Sequence, residues 1–160
     1  MRLCIFILVL FAACTLTKEE KFSTAIREIE KIYFISNGEK VESLEIDSLH
    51  YADATMKDFY VMERKRQLNL ANESREAIAT MTGPKDSTQI RKMGDENNKR
   101  QDIISKIDAL IGLNSASNKL YRVNYKIRAV TDKSPYTLHR EKFLTREGLK
   151  EIKLDASFFD

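Results

Sequence analysis

Cysteine, glycine and histidine are scarce in this chain: two, five and two of them among 160 residues. The cysteines are Cys4 and Cys14, both near the start, so none remains further along for a disulfide or a paired-cysteine metal centre. The few glycines form no phosphate-cradling loop and no Gly-x-Ser-x-Gly elbow, and neither histidine belongs to a His-Glu-x-x-His pair. With those patterns missing, no catalytic residue, metal ligand or cofactor is expected, and the chain reads as a non-enzyme. Neither sign of charge dominates. Lysine and arginine number 27 against 24 acidic residues, and a net charge of +3 gives no electrostatic case for a nucleic-acid partner. No internal repeat or low-complexity segment is visible.

At 42% apolar and 32% charged residues, the composition suits one compact domain and a short leader. Met1-Arg2 supplies a minimal positive start, and Leu3 to Ala13 is an uninterrupted apolar run. As a helix that run would extend only about 16 Å, against a hydrocarbon core of roughly 30 Å. It therefore reads as the apolar segment of an export signal and not as a membrane span.

The run ends in Phe11-Ala12-Ala13-Cys14, small residues directly before a cysteine, and this stretch resembles the lipobox of bacterial lipoproteins. The match is limited to the leader, and Phe11 stands where the usual pattern has leucine. The resemblance implies cleavage between Ala13 and Cys14 and acylation of the Cys14 thiol. The chain then divides into a signal peptide at 1–13, a lipidated tether at 14–17 and a single domain at 18–160. Ordinary signal peptidase also accepts Ala-Ala before a cut, which would release a soluble secreted protein. The cysteine usage favours the lipoprotein, which needs only the acylated one. Thr15, where an aspartate would signal inner-membrane retention in enteric bacteria, implies export to the outer membrane, with the leaflet left open. Lys18-Glu19-Glu20 resembles a short surface-directing tag of some Gram-negative lipoproteins. The same stretch suits a capping box, in which Thr17 and Glu20 open a helix.

Beyond the tether, Phe22, Ile26, Ile29, Ile32 and Tyr33 recur at spacings of three and four, predicting an amphipathic helix from Lys18 to Ser36 that Asn37-Gly38 stops. Val41 to Tyr51 alternates imperfectly and predicts a strand. Ala54 to Met81 and a segment starting at Asp86 or Ser87 and ending at Gly112 predict an antiparallel helical hairpin, broken at Gly83-Pro84. Its expected pairing sets Met56 and Phe59 against Ile107 and Leu110. The polar stretches Glu63 to Gln67 and Gly94 to Asp102 would face each other and interrupt the hairpin. Tyr121, Val123, Tyr125, Ile127 and Ala129 alternate with polar residues, the period of a half-buried strand. Strands at Tyr136 to Leu144 and through Ile152 and Leu154 would complete a C-terminal antiparallel three-stranded meander. The fold class is α+β, an N-terminal helix and a long helical hairpin with that meander.

Few residues stand out as functional candidates. His50 and His139 occupy separate predicted strands and read as ordinary strand residues. Glu28 with Lys31, Asp95 with Lys99, and Glu96 with Arg100 have the spacing of helix-surface ion pairs. Arg64-Lys65-Arg66 fans around a helix and cannot make one tight phosphate site. Arg122, Lys126 and Arg128 project from one strand face, with Lys119 nearby, and form the candidate basic contact face for headgroups or an acidic partner. Asn72-Glu73-Ser74 is a glycosylation sequon in a eukaryotic setting. The expected function is a lipid-anchored envelope protein acting as an interaction or structural module, with the membrane reached through Cys14 and an envelope protein as partner. The alternative is a small-ligand binder with an apolar pocket between sheet and hairpin. The rest of the domain has the general look of small envelope lipoproteins.

Overall fold

A computed structural model describes residues 16–81, 83, 87–113 and 119–159. The leader and Cys14 lie outside the described residues.

The first helix, α1, spans Lys18–Ser36. Thr17 caps it: its hydroxyl accepts from the Glu20 amide at 3.2 Å, and its own amide donates to the Glu20 carboxylate at 2.7 Å. This reciprocal box satisfies two backbone donors that the first turn would otherwise leave open. At the other end Gly38 takes φ +70°, the left-handed conformation that ends helices at little cost to a residue without Cβ. The buried stripe is Phe22, Ile26, Glu30 and Phe34, a strict four-residue spacing. Ile29 is half-buried, whereas Ile32 and Tyr33, expected inside, are 64% and 40% exposed. A charged residue therefore occupies a core position, and two apolar ones face out.

The strands are β1 (Val41–Thr55), β2 (Lys119–Thr131) and β3 (Pro135–Thr145), paired antiparallel in the order β1-β2-β3. An α+β fold with a three-stranded antiparallel sheet is present, but its third member is β1 and not the segment through Ile152 and Leu154. That segment makes a bridge from Glu151 to Leu144, with backbone hydrogen bonds from the Thr145 amide to the Lys150 carbonyl and from the Ile152 amide to the Phe143 carbonyl, and forms no strand. A short 3-10 turn follows at Ala156–Phe158.

β1 runs past the predicted end at Tyr51 by pairing residues 52–55 with 119–122, and its register with β2 shifts between Ile46 and Ser48. The extra residue reverses the parity of the strand. Leu44 and Ile46 point to the α1 side before the shift, and Leu49 does so after it. On that side Phe22 and Ile26 of α1 pack on Val123, Tyr125, Ile127 and Leu144, with Ile29, Leu44, Ile46 and Leu138 around them. Each such side chain contributes roughly 1.5–3 kcal/mol by leaving water.

The hairpin is α2 (Met56–Thr80) and α3 (Ser87–Leu113), about 38 and 40 Å long at 1.5 Å per residue. It leaves β1 at Thr55, itself a capping residue boxed with Asp58, and rejoins the sheet at Lys119, the residue paired with Thr55. Both helices run unbroken through their polar stretches. Glu63, Gln67 and Asn97 are buried in the hairpin alongside Ala71, Ile103, Ile104 and Ile107. The anticipated interruption does not occur, since backbone bonds within each helix do not depend on what faces the seam. Phe59 is turned elsewhere than expected. It joins Ala54, Leu120 and Phe143 in a second cluster on the sheet face opposite α1, with Met56, Tyr60, Met62, Ile152 and Leu154 around it. Adjacent strand residues point to opposite faces, so Phe143 serves this cluster while Leu144 serves the first. Arg64 and Asp108 pair across the hairpin at 2.5 Å. Among the described residues, no helix is long and apolar enough to cross a membrane.

Candidate functional site

Three places hold the polar side chains that sequence singled out or passed over: the open sheet face, the interior under α1, and the end of the domain beside Leu16.

The open face carries Arg122, Lys126 and Arg128 together, as their two-residue spacing on one strand requires. None of the three is a free cation. Arg122 pairs with Glu141, Lys126 lies 3.7 Å from Asp47, and Arg128 reaches Asp47 at 2.7 Å and Glu45 at 3.2 Å. Asp47 lies at the register shift of β1, and its carboxylate meets two cations of β2. The arginine pKa at 128 is raised by its hydrogen bond to Asp47 and the nearby acidic charges. The face is a ladder of alternating sign, not a basic patch. Between the charges lies a shallow depression of about 400 Å³ lined by Ser48, His50, Asn124, Lys126, His139 and Glu141. The two histidines share this face, but β2 stands between their strands.

The other candidates disperse. Arg64 pairs with Asp108 and Arg66 with Glu63, leaving Lys65 exposed, so the basic triplet divides as its helical fan implies. Asn72 sits exposed on α2, its side-chain oxygen accepting from Arg75. Glu28 with Lys31, Asp95 with Lys99 and Glu96 with Arg100 do not close to within 4 Å among the described residues.

Under α1, Glu30 is fully buried and accepts a hydrogen bond from the Tyr125 hydroxyl. Its second oxygen lies 3.6 Å from Arg140 Nε, an ion pair without an aligned hydrogen bond. The Arg140 guanidinium covers the Tyr33 ring at 4.3 Å. Burial, the hydrogen bond to Glu30 and the Glu30 charge hold the Tyr125 phenol above its ordinary pKa, so it stays protonated. Sequence reading passed over this site because no local pattern joins residues 30, 125 and 140. The only signal was a glutamate in step with Phe22, Ile26 and Phe34.

Neither family models, curated proteins nor solved structures match the chain.

At the Leu16 end, Phe22 stacks on Tyr51 at 4.4 Å and meets Tyr121 edge-on at 5.0 Å. Lys18 Nζ lies over both tyrosines, 4.9 Å from Tyr51 and 4.6 Å from Tyr121, while Arg146 approaches Tyr121 at 4.9 Å. Arg146 also pairs with Asp53 at 2.6 Å. Beside this group lies a cleft of about 550 Å³ lined by Lys18, Lys21 and Arg146 with Leu16, Phe22, Tyr121 and Leu149. Leu16, at 51% exposure, begins the described chain, two residues after Cys14. Ala13 and Cys14, the expected cleavage and acylation positions, lie outside the described residues.

Proposed function

We propose that this chain is an exported, lipid-anchored envelope protein, acylated at Cys14, whose domain serves as a non-enzymatic interaction or structural module at the membrane surface. The observation that carries the reading is Phe11-Ala12-Ala13-Cys14 at the end of the apolar run, with the folded domain beginning four residues later at Lys18. Two or three acyl chains, at about 0.8 kcal/mol per buried methylene, would hold the protein durably on its bilayer. A tether of residues 14–17 keeps the α1 end of the domain against that surface. The hairpin then offers a long, highly charged arm for a protein partner. Outer-membrane residence follows from Thr15 only through the lipoprotein resemblance.

The ligand-binding alternative draws less support, since the junction of sheet and hairpin is filled by Phe59, Phe143, Leu120 and Ala54. The hollow at its edge, about 860 Å³, is open and mixed in character, with Met56, Leu120 and Ile152 beside Lys119, Glu147 and Lys150.

Mass spectrometry of the processed N-terminus tests the reading. A diacylated or triacylated Cys14 is expected, with Cys14→Ser left unprocessed in the membrane fraction. Normal cleavage of that variant, or a mature chain starting elsewhere with no lipid, would refute the anchor and leave plain secretion.

A further inference from the structure

The cleft beside the first turn of α1 brings cations together in an unusual way. Lys18 and Arg146 each lie within 5 Å of the same Tyr121 centroid, so one ring carries two positive groups. Lys21 lines the same cleft. Of the three, Arg146 alone has a carboxylate partner, Asp53; Lys18 and Lys21 have none within 4 Å among the described residues. The nearby acids do not fill the gap: Glu20 is held by the Thr17 amide and hydroxyl, and Glu19 and Glu147 do not line the cleft. Its walls are apolar on one side, with Leu16, Phe22 and Leu149. Such a site suits an anion that carries an apolar extension. Because Cys14 is two residues from Leu16, the anchor lies within about 7 Å of chain from this wall, placing bilayer headgroups at contact distance.

We infer that the cleft seats the phosphate of an anionic phospholipid from the bilayer that holds the anchor, with Lys18, Lys21 and Arg146 around the phosphate and Leu16 and Leu149 against the glycerol and acyl portion. This rests on the acylation proposed above. A cation near an anionic surface gains about fivefold in binding, so the two unpaired lysines supply roughly 25-fold preference for anionic over zwitterionic lipid. The headgroup would also fix how the domain stands on the membrane.

The experiment uses the chain as processed by the cell, placed in vesicles of phosphatidylcholine with or without phosphatidylglycerol, and measures amine labelling residue by residue. Lys18 and Lys21 are expected to label at least fivefold more slowly with phosphatidylglycerol present, while the exposed Lys31 and Lys65 label alike in both. Equal labelling of Lys18 and Lys21 in the two vesicles overturns the inference, as does equal slowing in both, which would report mere nearness to a bilayer. Equivalent protection by inorganic phosphate without vesicles also overturns it, since the cleft would then take the free anion. If the N-terminus carries no lipid, the anchor proposal fails separately. Co-sedimentation with phosphatidylglycerol vesicles then decides: about 25-fold weaker binding of K18Q/K21Q upholds the cleft, and unchanged binding overturns it.

Discussion

Removing the Tyr125 hydroxyl by Tyr125→Phe leaves the size of the ring unchanged and takes away the hydrogen bond that the Glu30 carboxylate accepts under α1. Glu30 would keep only Arg140 at 3.6 Å, too far for a hydrogen bond. A hydrogen bond to a charged group contributes about 1.5–3 kcal/mol, and a buried acceptor left open loses that and its hydration. We therefore expect Tyr125→Phe to destabilise the domain by about 2–3 kcal/mol, a fall in Tm of roughly 4–10 °C at this chain length. Glu30→Leu should cost a similar amount, because it strands the Tyr125 hydroxyl and leaves Arg140 without its counter-charge. The double variant Glu30→Leu/Tyr125→Phe removes both polar partners. It should lose less than the two single variants together, because the hydrogen bond goes as a whole, while Arg140 still lacks its counter-charge. Urea unfolding followed by circular dichroism completes the cycle, with coupling read from the four free energies. pH gives an independent readout. Because the folded Tyr125 pKa lies above the unfolded value of about 10, its stabilisation is complete below that pH and is lost above it, at up to 1.4 kcal/mol per pH unit. The parent should lose stability faster than Tyr125→Phe between about pH 10 and 12. A Tyr125→Phe variant within about 0.5 kcal/mol of the parent, or additive single and double variants, would refute the argument that these groups stabilise one another.

Phe143→Ala should cost about 3–5 kcal/mol, since Phe143 is buried between Phe59 and Leu120, and hydrogen exchange should then rise at the base of α2 before it rises under α1. Thr17→Ala should cost about 1 kcal/mol and speed amide exchange in the first turn of α1 alone. An unchanged first turn would count against the capping box. Arg128→Ala, on the open face, should shift stability only slightly, and salt should erase the shift; a marked, salt-independent loss would show that the charge ladder is not merely a surface feature.

Sequence reading succeeded where one element states its own environment. The alternation from Tyr121 to Ala129 announces β2, and Thr17 with Glu20 announces the start of α1, because both patterns span a few residues. It failed where a residue answers to something distant. Ile32 and Tyr33 looked like core because they are apolar and helically spaced, yet the stripe passes through Glu30, whose burial makes sense only beside Tyr125 and Arg140. The partner of β2 was sought nearby, in the segment to Leu154, whereas it comes from before the hairpin. β1 also disguised itself, since the shift near Asp47 swaps which parity faces inward and breaks the period. Arg122, Lys126 and Arg128 do share one face of β2, but the acids that neutralise them come from β1 and β3 and could not be seen from β2 alone. At the Leu16 end, the residues that converge are Lys18, Tyr51, Tyr121 and Arg146, from four separate stretches of the chain.

The helical arm leaves and re-enters the sheet at facing positions, Thr55 and Lys119. The arm can therefore be lengthened or trimmed beyond its base, where Phe59 packs on Leu120 and Phe143, without moving the sheet beneath α1. Variation can then accumulate in one appendage while the sheet beneath α1 stays the same.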